Sequence, residues 1–340
     1  MFDHNPSPKS VAERAALRSW QRAWRDAFTD PKALLDFLDL SELAERVPAS
    51  PPHGFAMRVP RGYAAKMRRG DPDDPLLRQV LPLDLELREV EGYVEDAVGD
   101  GAARRGAGVL LKYERRALLI TTGACAIHCR YCFRRHFPYG EERATAERFR
   151  PALLKLKAEP GLRELILSGG DPLALATDRL AEFTRGLGAL PELRSLRIHT
   201  RIPIVLPERV DEELCAWLQQ VPLRRVVVVH ANHPREIDGA VARACRELSA
   251  AGCLLLNQTV LLAGVNDRVD TLEELSEALF DCGVLPYYLH QLDRVRGTAH
   301  FAVEDDTARR IHEALAARLP GYLVPRLVRE VPGAPAKMPL

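Results

Sequence analysis

Three cysteines lie within eight residues, at Cys125, Cys129 and Cys132. Three thiolates on one loop can each bind one iron of a [4Fe–4S] cluster, which leaves the fourth iron open to an external ligand. A structural zinc site is the alternative interpretation, because His128 or His136 would supply the fourth protein ligand that zinc needs. The spacing therefore predicts a metal centre, with an iron–sulfur cluster that carries an open iron as the favoured form.

A second motif, Leu167–Pro172 (LSGGDP), follows a short apolar run. Its glycine pair, Gly169 and Gly170, lets the backbone approach a ligand closely and leaves edge groups free to bond it. A glycine pair after a strand is more often only a turn. The motif gains weight from its position, one structural unit after the cysteines.

The elements that must position these motifs are short apolar runs alternating with helical patterns. Most positions in each run are apolar, as expected for strands buried on both faces. The six runs are Ala117–Thr121, Glu164–Leu167, Leu196–His199, Arg225–His230, Cys253–Val260 and Val284–His290. The amphipathic stretches between them are Leu153–Lys157, Asp178–Leu187, Asp211–Gln220, Glu236–Ala251 and Thr271–Cys282. This α/β alternation predicts a parallel sheet with its chemistry at the carboxyl ends of the strands, in an open doubly wound sheet or an incomplete barrel.

The chain divides by composition into three parts. Residues 1–105 are expected to form a mainly helical region punctuated by prolines, with helical patterns at Ser10–Ala27 and Pro31–Ala44. Residues 106–320 form the expected α/β core, and residues 321–340 a C-terminal tail.

Charge and cysteine usage exclude several classes of function. The 48 basic and 47 acidic residues leave a net charge of +1, which gives no global footprint for nucleic acid or an anionic membrane. We find no apolar run long enough to span a bilayer and no signal-peptide pattern at the start. Seven cysteines, three of them clustered, do not suit a disulfide framework. We therefore expect a reducing, cytoplasmic location with no nucleic-acid or membrane partner.

The cysteine spacing resembles the signature of the radical S-adenosylmethionine (SAM) enzymes. Further motifs narrow the resemblance to the lysine 2,3-aminomutases: Asp73–Gln79, Phe133–Phe137, His230–Pro234, Asn257–Leu262 and Gly264–Asp267. The stretch CRYCFRRHFPYG, from Cys129 to Gly140, is most similar to the short bacterial branch that makes (R)-β-lysine for modifying translation elongation factor P. This resemblance covers nearly the whole chain. It implies the radical SAM (βα)6 partial TIM barrel and therefore favours the incomplete barrel over the open doubly wound sheet.

The resemblance also implies three cofactors: the [4Fe–4S] cluster on the three cysteines, SAM, and pyridoxal 5′-phosphate (PLP). Lys337 matches the catalytic lysine that forms the Schiff base with PLP, and without the resemblance it would be an ordinary solvated side chain. Lys112, Tyr113 and Arg116 match the positions that hold the PLP phosphate, with Lys112 replacing the commoner arginine. The other cofactor-binding residues that the resemblance implies are Ser168, Gly169, Gly170, Asp171, His230 and Gln258.

By the same resemblance, three residues bind the two ends of a lysine substrate. Arg134 matches the arginine that pairs with the α-carboxylate, and a planar guanidinium suits that task. Asp293 and Glu330 match the two acidic residues that bind the ε-ammonium, with glutamate at the second position in place of aspartate. The alternative is that Asp293 and Glu330 pair with Arg294 or Arg329 at the surface, where such pairs contribute little.

The function implied is an isomerase, an L-lysine 2,3-aminomutase that converts (S)-α-lysine into (R)-β-lysine by radical 1,2-amino migration. Its implied partners are lysine, a cellular one-electron reductant, and a downstream β-lysyl ligase with elongation factor P. Three alternatives remain: a free β-lysine producer serving other metabolism, a radical SAM enzyme acting on a macromolecule, and a non-enzymatic zinc or iron–sulfur protein that does not cleave SAM.

Overall fold

The computed structural model describes residues 18–140 and 146–340, so the start of the chain and of the helix expected from Ser10 lie outside it. The strands are β1 (Val109–Tyr113), β2 (Arg116–Thr122), β3 (Glu164–Gly169), β4 (Ser195–Thr200), β5 (Arg224–Val229), β6 (Cys253–Val260), β7 (Leu285–His290), β8 (Arg326–Arg329) and β9 (Met338–Pro339). The helices are α1 (Ser19–Arg25), α2 (Pro31–Phe37), α3 (Arg61–Ala64), α4 (Pro75–Arg78), α5 (Asp100–Ala103), α6 (Ala146–Ala158), α7 (Thr177–Arg185), α8 (Ile202–Val205), α9 (Glu212–Gln220), α10 (Gly239–Ala250), α11 (Val269–Asp281) and α12 (Asp305–Arg318).

All nine strands form one sheet in sequence order. Strands β2 to β8 run parallel, while β1 and β9 pair antiparallel with β2 and β8 at the two edges. Helices follow each strand from β2 to β7, which is the (βα)6 arrangement of a partial barrel. Among the described strands, β1 and β9 do not pair with each other, so the barrel stays open along one side.

The six expected strands are confirmed as β2 to β7, each within a few residues of its predicted bounds. The parallel strand β8 and the edge strands β1 and β9 were not expected. Strand β8 has only four residues, with two buried apolar side chains between arginines, so it carries too little pattern to recognise. As a result, the expected tail 321–340 contributes two strands to the sheet.

The N-terminal region has shorter helices than its periodicity predicts. The helix expected over Pro31–Ala44 ends at Phe37, because Asp39 adopts a left-handed conformation (φ 58°) that a helix cannot continue through. Leu34 and Leu35 are nonetheless fully buried, in the same apolar cluster as barrel residues such as Leu165 and Ile198. Packing is therefore continuous across residue 105, and the three-part division of the chain remains a prediction. No helix in the described ranges is long and apolar enough to cross a bilayer.

A fully buried carboxylate, Glu86, joins this region to the cysteine loop. It accepts hydrogen bonds from Arg130 Nε (2.7 Å) and Nη2 (2.6 Å) and from Arg135 Nη2. All three side chains are inaccessible to solvent. Both arginines flank Cys132 in sequence, so the Glu86 carboxylate fixes the position of the loop that carries the thiols.

Replacing Glu86 with alanine should lower the free energy of unfolding by roughly 3–5 kcal/mol, because it leaves two buried guanidinium groups without a counter-charge. Denaturant unfolding of the apoprotein measures this change. The matched control is Asp39→Asn, which removes an exposed pair with Arg69 and should leave the free energy of unfolding almost unchanged. Equal losses in the two variants would contradict the structural role of Glu86.

Candidate active site

The candidate site lies at the carboxyl edge of the parallel strands. The loop after β2 carries the three cysteines, and the ends of β3 to β8 supply most of the other predicted residues. Parallel strands bring their carboxyl ends to one edge, so residues far apart in sequence meet there.

The three thiols are free and partly exposed on the loop after β2. Backbone hydrogen bonds to the N-terminal region hold this loop: His128 N–H donates to Arg58 O and Arg130 N–H to Gln79 O. Burial and the neighbouring Cys129 raise the pKa of the Cys132 thiol to about 11. A Cys132 thiolate therefore needs a cation to offset its charge.

The donor set fits a cluster better than it fits zinc. Within residues 18–140 and 146–340, no three His, Cys, Asp or Glu side chains converge as ligands of one metal ion. His128 bonds Ala56 O through Nδ1 and His136 bonds Arg296 O through Nε2, and neither ring joins a group of converging metal ligands among the described residues. A cluster needs no convergence on one ion, because each thiolate binds a different iron.

The glycine pair after β3 packs against the cysteine loop. A Cβ on Gly169 would lie 2.4 Å from Thr122 O, and a Cβ on Gly170 would lie 2.4 Å from Ala124 O. The N–H groups of Gly170 and Asp171 donate to these same two carbonyls, at 2.7 and 2.8 Å. The glycines thus allow two backbone segments to touch and join the turn to the loop. These contacts use N–H groups, and the assignment of Gly169 and Gly170 to a cofactor stays a prediction.

Asp171, also predicted to contact a cofactor, has its side chain engaged within the protein. Its buried carboxylate accepts hydrogen bonds from Leu173 N, Thr200 Oγ1, Arg201 N and Ile202 N. These bonds use the acceptor positions of both oxygens and link the turn after β3 to the turn after β4. Asp171 is therefore a positioning residue for the two turns.

Buried nitrogen atoms without partners surround the mouth of the barrel. His199, His230, Gln258 and His290 each have an Nε2 atom that is inaccessible to solvent and finds no partner among the described residues. Burial lowers the pKa of His230 to about 4 and those of His199 and His290 well below the usual range, and the Lys337 ammonium adds to each shift. The imidazoles are therefore neutral. Leaving such atoms unpaired is costly, so their number here indicates a site shaped for polar ligands.

The family resemblance implies a cofactor-binding role for His230 and Gln258, whereas His199 and His290 were not predicted to lie in the site. A signal was present, because His199 and His290 are the last residues of two predicted strands. A polar residue at the carboxyl end of a buried parallel strand faces the region where ligands bind.

Lys337 lies in a group of side chains that spans the open side of the barrel. Its Nζ is 2.8 Å from Glu330 Oε2, and Tyr113 donates a hydrogen bond to Glu330 Oε1 at 2.7 Å. Lys112 Nζ is 3.7 Å from the same Oε1. Tyr113 ends β1 and Glu330 follows β8, so these side chains join the two edges of the sheet. We call Lys112, Tyr113, Glu330 and Lys337 the edge bridge.

Lys112 of the edge bridge and the neighbouring Arg116 differ in how free each is to bind an anion. The guanidinium of Arg116 lies over the Tyr113 ring, 4.8 Å from its centroid, and has no acidic partner among the described residues. Lys112 is already engaged, with its Nζ 2.6 Å from Asp100 Oδ1 and 2.8 Å from Val98 O. Arg116 is therefore free to bind an anion, whereas Lys112 would have to share its charge with Asp100.

Asp100 is a residue that sequence reasoning missed. Its second oxygen accepts a hydrogen bond from Arg134 Nε at 2.6 Å, and Arg134 Nη1 donates to Ser168 Oγ at 2.8 Å. Burial would raise the pKa of Asp100, but Arg134 and Lys112 outweigh it and lower the pKa to about 2. One carboxylate thus orients both cations. It lies in the glycine-rich stretch after residue 98, where an aspartate is typical of a turn, so no pattern pointed to it.

The two expected acidic residues also lie in this region. Burial raises the pKa of Asp293 to about 7, with Lys337 opposing the shift and Glu330 adding to it. Glu330 bonds to Lys337 and Tyr113, while Arg329 pairs with Asp305. The surface-pair alternative is therefore wrong for Glu330, and Asp293 lies with the edge bridge, largely shielded from solvent.

Comparison with known proteins places the chain in a family. The sequence profile of the radical SAM superfamily matches residues 119–290. An L-lysine 2,3-aminomutase from Escherichia coli is 45% identical over 94% of this chain and 94% of its own length. One from Haemophilus influenzae is 42% identical, over 94% of this chain and 95% of its own. One from Clostridium subterminale is 32% identical, over 98% of this chain and 80% of its own.

The chain belongs to the lysine 2,3-aminomutase family of radical SAM enzymes. Members of this family use a [4Fe–4S] cluster, SAM and PLP, so the resemblance seen in the motifs is confirmed at the level of family, fold and cofactors.

The geometry fits the three cofactors of a lysine 2,3-aminomutase: the [4Fe–4S] cluster, SAM and PLP. The three thiols match the cluster, and the unpartnered nitrogens of His230 and Gln258 match the polar groups of a small ligand beside it. For PLP, Arg116 offers an uncommitted cation for a phosphate and Lys337 offers an amine. The assignment of each residue to a cofactor is a proposal.

Proposed function

We propose that this chain converts L-lysine into (R)-β-lysine, with Lys337 as the residue that binds PLP covalently and Cys125, Cys129 and Cys132 as the iron ligands. One observation carries the proposal: a lysine, an acidic pair and a buried arginine lie at the same carboxyl edge as the three-thiol loop. When bound, the cofactors supply a hydrogen-abstracting radical and a conjugated π system that stabilises an unpaired electron.

The residues of this chain bind the two ends of the substrate. Arg134, already oriented by Asp100 and Ser168, presents its guanidinium to the α-carboxylate. Asp293 and Glu330 present carboxylates to the ε-ammonium. A substrate with a cation at its far end matches this arrangement, whereas glutamate would bring a carboxylate against two others.

Glu330 has a second task at Lys337. Its Oε2 accepts a hydrogen bond from Lys337 Nζ and so orients this amine. Burial would raise the pKa of Glu330, but Lys337 and Tyr113 outweigh it and lower the pKa, so Glu330 stays a carboxylate. Tyr113 fixes the other oxygen of Glu330. The buried neutral histidines surround the site without adding charge, and the burial of the site limits the entry of water.

Anaerobic reconstitution with iron, sulfide, SAM, PLP and a reductant tests the proposal. L-Lysine should yield (R)-β-lysine, identified by chiral chromatography, and L-glutamate should yield no β-amino acid. Turnover of glutamate in preference to lysine, or cleavage of SAM without any amino migration, would contradict it.

Replacing Asp293 with asparagine should lower kcat/KM for lysine at least about tenfold, because a charged contact worth roughly 1.4 kcal/mol in the transition state is lost. In the parent enzyme kcat/KM should rise as pH increases through about 7, where Asp293 loses its proton. The ε-ammonium of lysine stays protonated over that range. Asparagine cannot titrate, so the variant should lose this part of the profile.

Asp281→Asn, at the exposed end of α11, is the matched control and should leave both the rate and the profile unchanged. An Asp293→Asn variant with parental kcat/KM and an unaltered pH profile would rule out the assigned substrate contact.

We also propose that the product supplies elongation factor P through a β-lysyl ligase, in a reducing cytoplasm. The stretch Cys129–Gly140 and the near-equal length of the E. coli and H. influenzae relatives support this branch. All seven cysteines are free, as a reducing compartment requires. Ligase-dependent transfer of the radiolabelled product to elongation factor P tests it. Label that stays in free β-lysine would favour the alternative of a β-lysine producer for other metabolism.

A further inference from the structure

A buried arginine that neither the motifs nor the resemblance identified contacts the cysteine loop. Arg201 follows β4, and its Nη1 donates a hydrogen bond to Cys129 Sγ at 2.7 Å. The side chain is 8% exposed, so little water competes for the sulfur. The loop that binds the cluster thus has a guanidinium directed at one of its three thiols.

The other end of the guanidinium is held by three acceptors. Nη2 donates to Gln79 Oε1 at 2.7 Å, to Glu236 Oε2 at 2.9 Å and to Tyr63 OH at 3.3 Å. The backbone N–H of Arg201 donates to Asp171 Oδ2. These contacts come from the N-terminal region and from the ends of β3 and β5, so the guanidinium cannot rotate away from the sulfur without breaking several buried bonds.

The partners of Arg201 are themselves fixed. Glu236 is inaccessible to solvent, and its Oε1 accepts hydrogen bonds from Gln79 Nε2 and from the backbone N–H groups of Asn232 and His233. A guanidinium whose only task was to neutralise Glu236 would not need its Nη1 at Cys129. The arrangement therefore serves the sulfur as well as the carboxylate.

We propose that Arg201 is a positioning residue that raises the reduction potential of the cluster through its hydrogen bond to Cys129. The proposal rests on the proposed role of Cys129 as an iron ligand. On reduction, a low-potential one-electron donor adds one electron to the [4Fe–4S]2+ cluster, and the reduced cluster later passes that electron to SAM. The reduced form carries one more negative charge, so an N–H donor and a positive charge at the sulfur stabilise it more than the oxidised form.

The test compares midpoint potentials by anaerobic redox titration, followed by electron paramagnetic resonance. In the Arg201→Gln/Glu236→Gln double variant the buried charges are removed as a pair, which avoids leaving Glu236 uncompensated. We expect the ratio of reduced to oxidised cluster at a fixed potential to fall about tenfold, which is a midpoint lower by about 59 mV for one electron.

Arg209→Gln is the matched control. Arg209 is also fully buried, but it donates to Leu173 O and Leu175 O and not to a cysteine. This variant should lose stability and keep the parental potential. If the role of Arg201 is only structural, the double variant should also lose stability and keep the parental midpoint potential. That outcome would overturn the proposal.

If the double variant does not fold, the midpoint potential of the Arg201→Lys variant tests the proposal instead. A lysine keeps the charge for Glu236, but one ammonium nitrogen replaces the two separate guanidinium nitrogens that reach Glu236 and Cys129. An unchanged potential in this variant would overturn the proposal. A Cys129→Ala variant that retains a full cluster would instead contradict the iron-ligand assignment, so the two failures are distinguishable.

Discussion

Replacing Lys337 with alanine should abolish covalent attachment of PLP and reduce lysine turnover by more than about a thousandfold, as expected when the covalent partner of a cofactor is lost. Lys337 is the lysine of the edge bridge, with its amine 2.8 Å from Glu330 Oε2. Borohydride reduction of the parent protein should fix a pyridoxyl group on the peptide that contains Lys337. Peptide mass spectrometry detects this group, and the variant should lack it.

Lys157→Ala provides the control, because Lys157 is an exposed lysine on α6, away from the carboxyl edge. It should leave labelling and turnover intact. A pyridoxyl group found on Lys112 or Lys155 in the parent protein would show that the cofactor lysine had been assigned wrongly. Lys112 is the more informative of the two, because it lies 3.7 Å from the same glutamate.

Alanine in place of Cys125, Cys129 or Cys132 should remove the visible absorbance of the cluster or eliminate SAM cleavage. In each variant one iron loses its thiolate ligand. The measurement is iron and sulfide content after anaerobic reconstitution, together with the yield of 5′-deoxyadenosine. All three variants should fail alike, since the glycine pair and the Glu86 contacts hold the three thiols on one fixed loop.

Cys245→Ala is the matched control for the cysteine variants. Cys245 is buried on α10 within the main apolar cluster, so its loss should affect packing alone. A variant at any of the three loop positions with parental iron content and parental activity would contradict the cluster assignment.

The sequence predicted the elements that are long and periodic, and it failed where a short segment depends on its neighbours. Strands β2 to β7 were recognisable because each is a nearly continuous apolar run. Strand β8 was not, since it has only two buried side chains, which lie between two arginines, and its pairing depends on β7. The cysteine spacing identified the reactive loop, but nothing in the spacing revealed that Gly169 and Gly170 serve the loop itself.

Side-chain partners were predicted least well. Asp171 accepts hydrogen bonds from the turn after β4, and Asp100, to which the sequence assigned no role, orients Lys112 and Arg134. Both outcomes depend on which segments meet in space, and no local pattern encodes that. His199 and His290 are different, because their positions at strand ends were available from the sequence.

The edge bridge has a consequence for the order in which the protein folds. Tyr113 and Glu330 are separated by 217 positions in the chain, whereas neighbouring strands of the sheet form from much nearer segments. Closing so long a loop costs chain entropy that nearer pairings do not require, so contacts of this kind form late in folding. The proposed PLP site is therefore complete only when β1 and β8 are both in place. Binding of PLP at the edge bridge would report that the two edges of the sheet have come together.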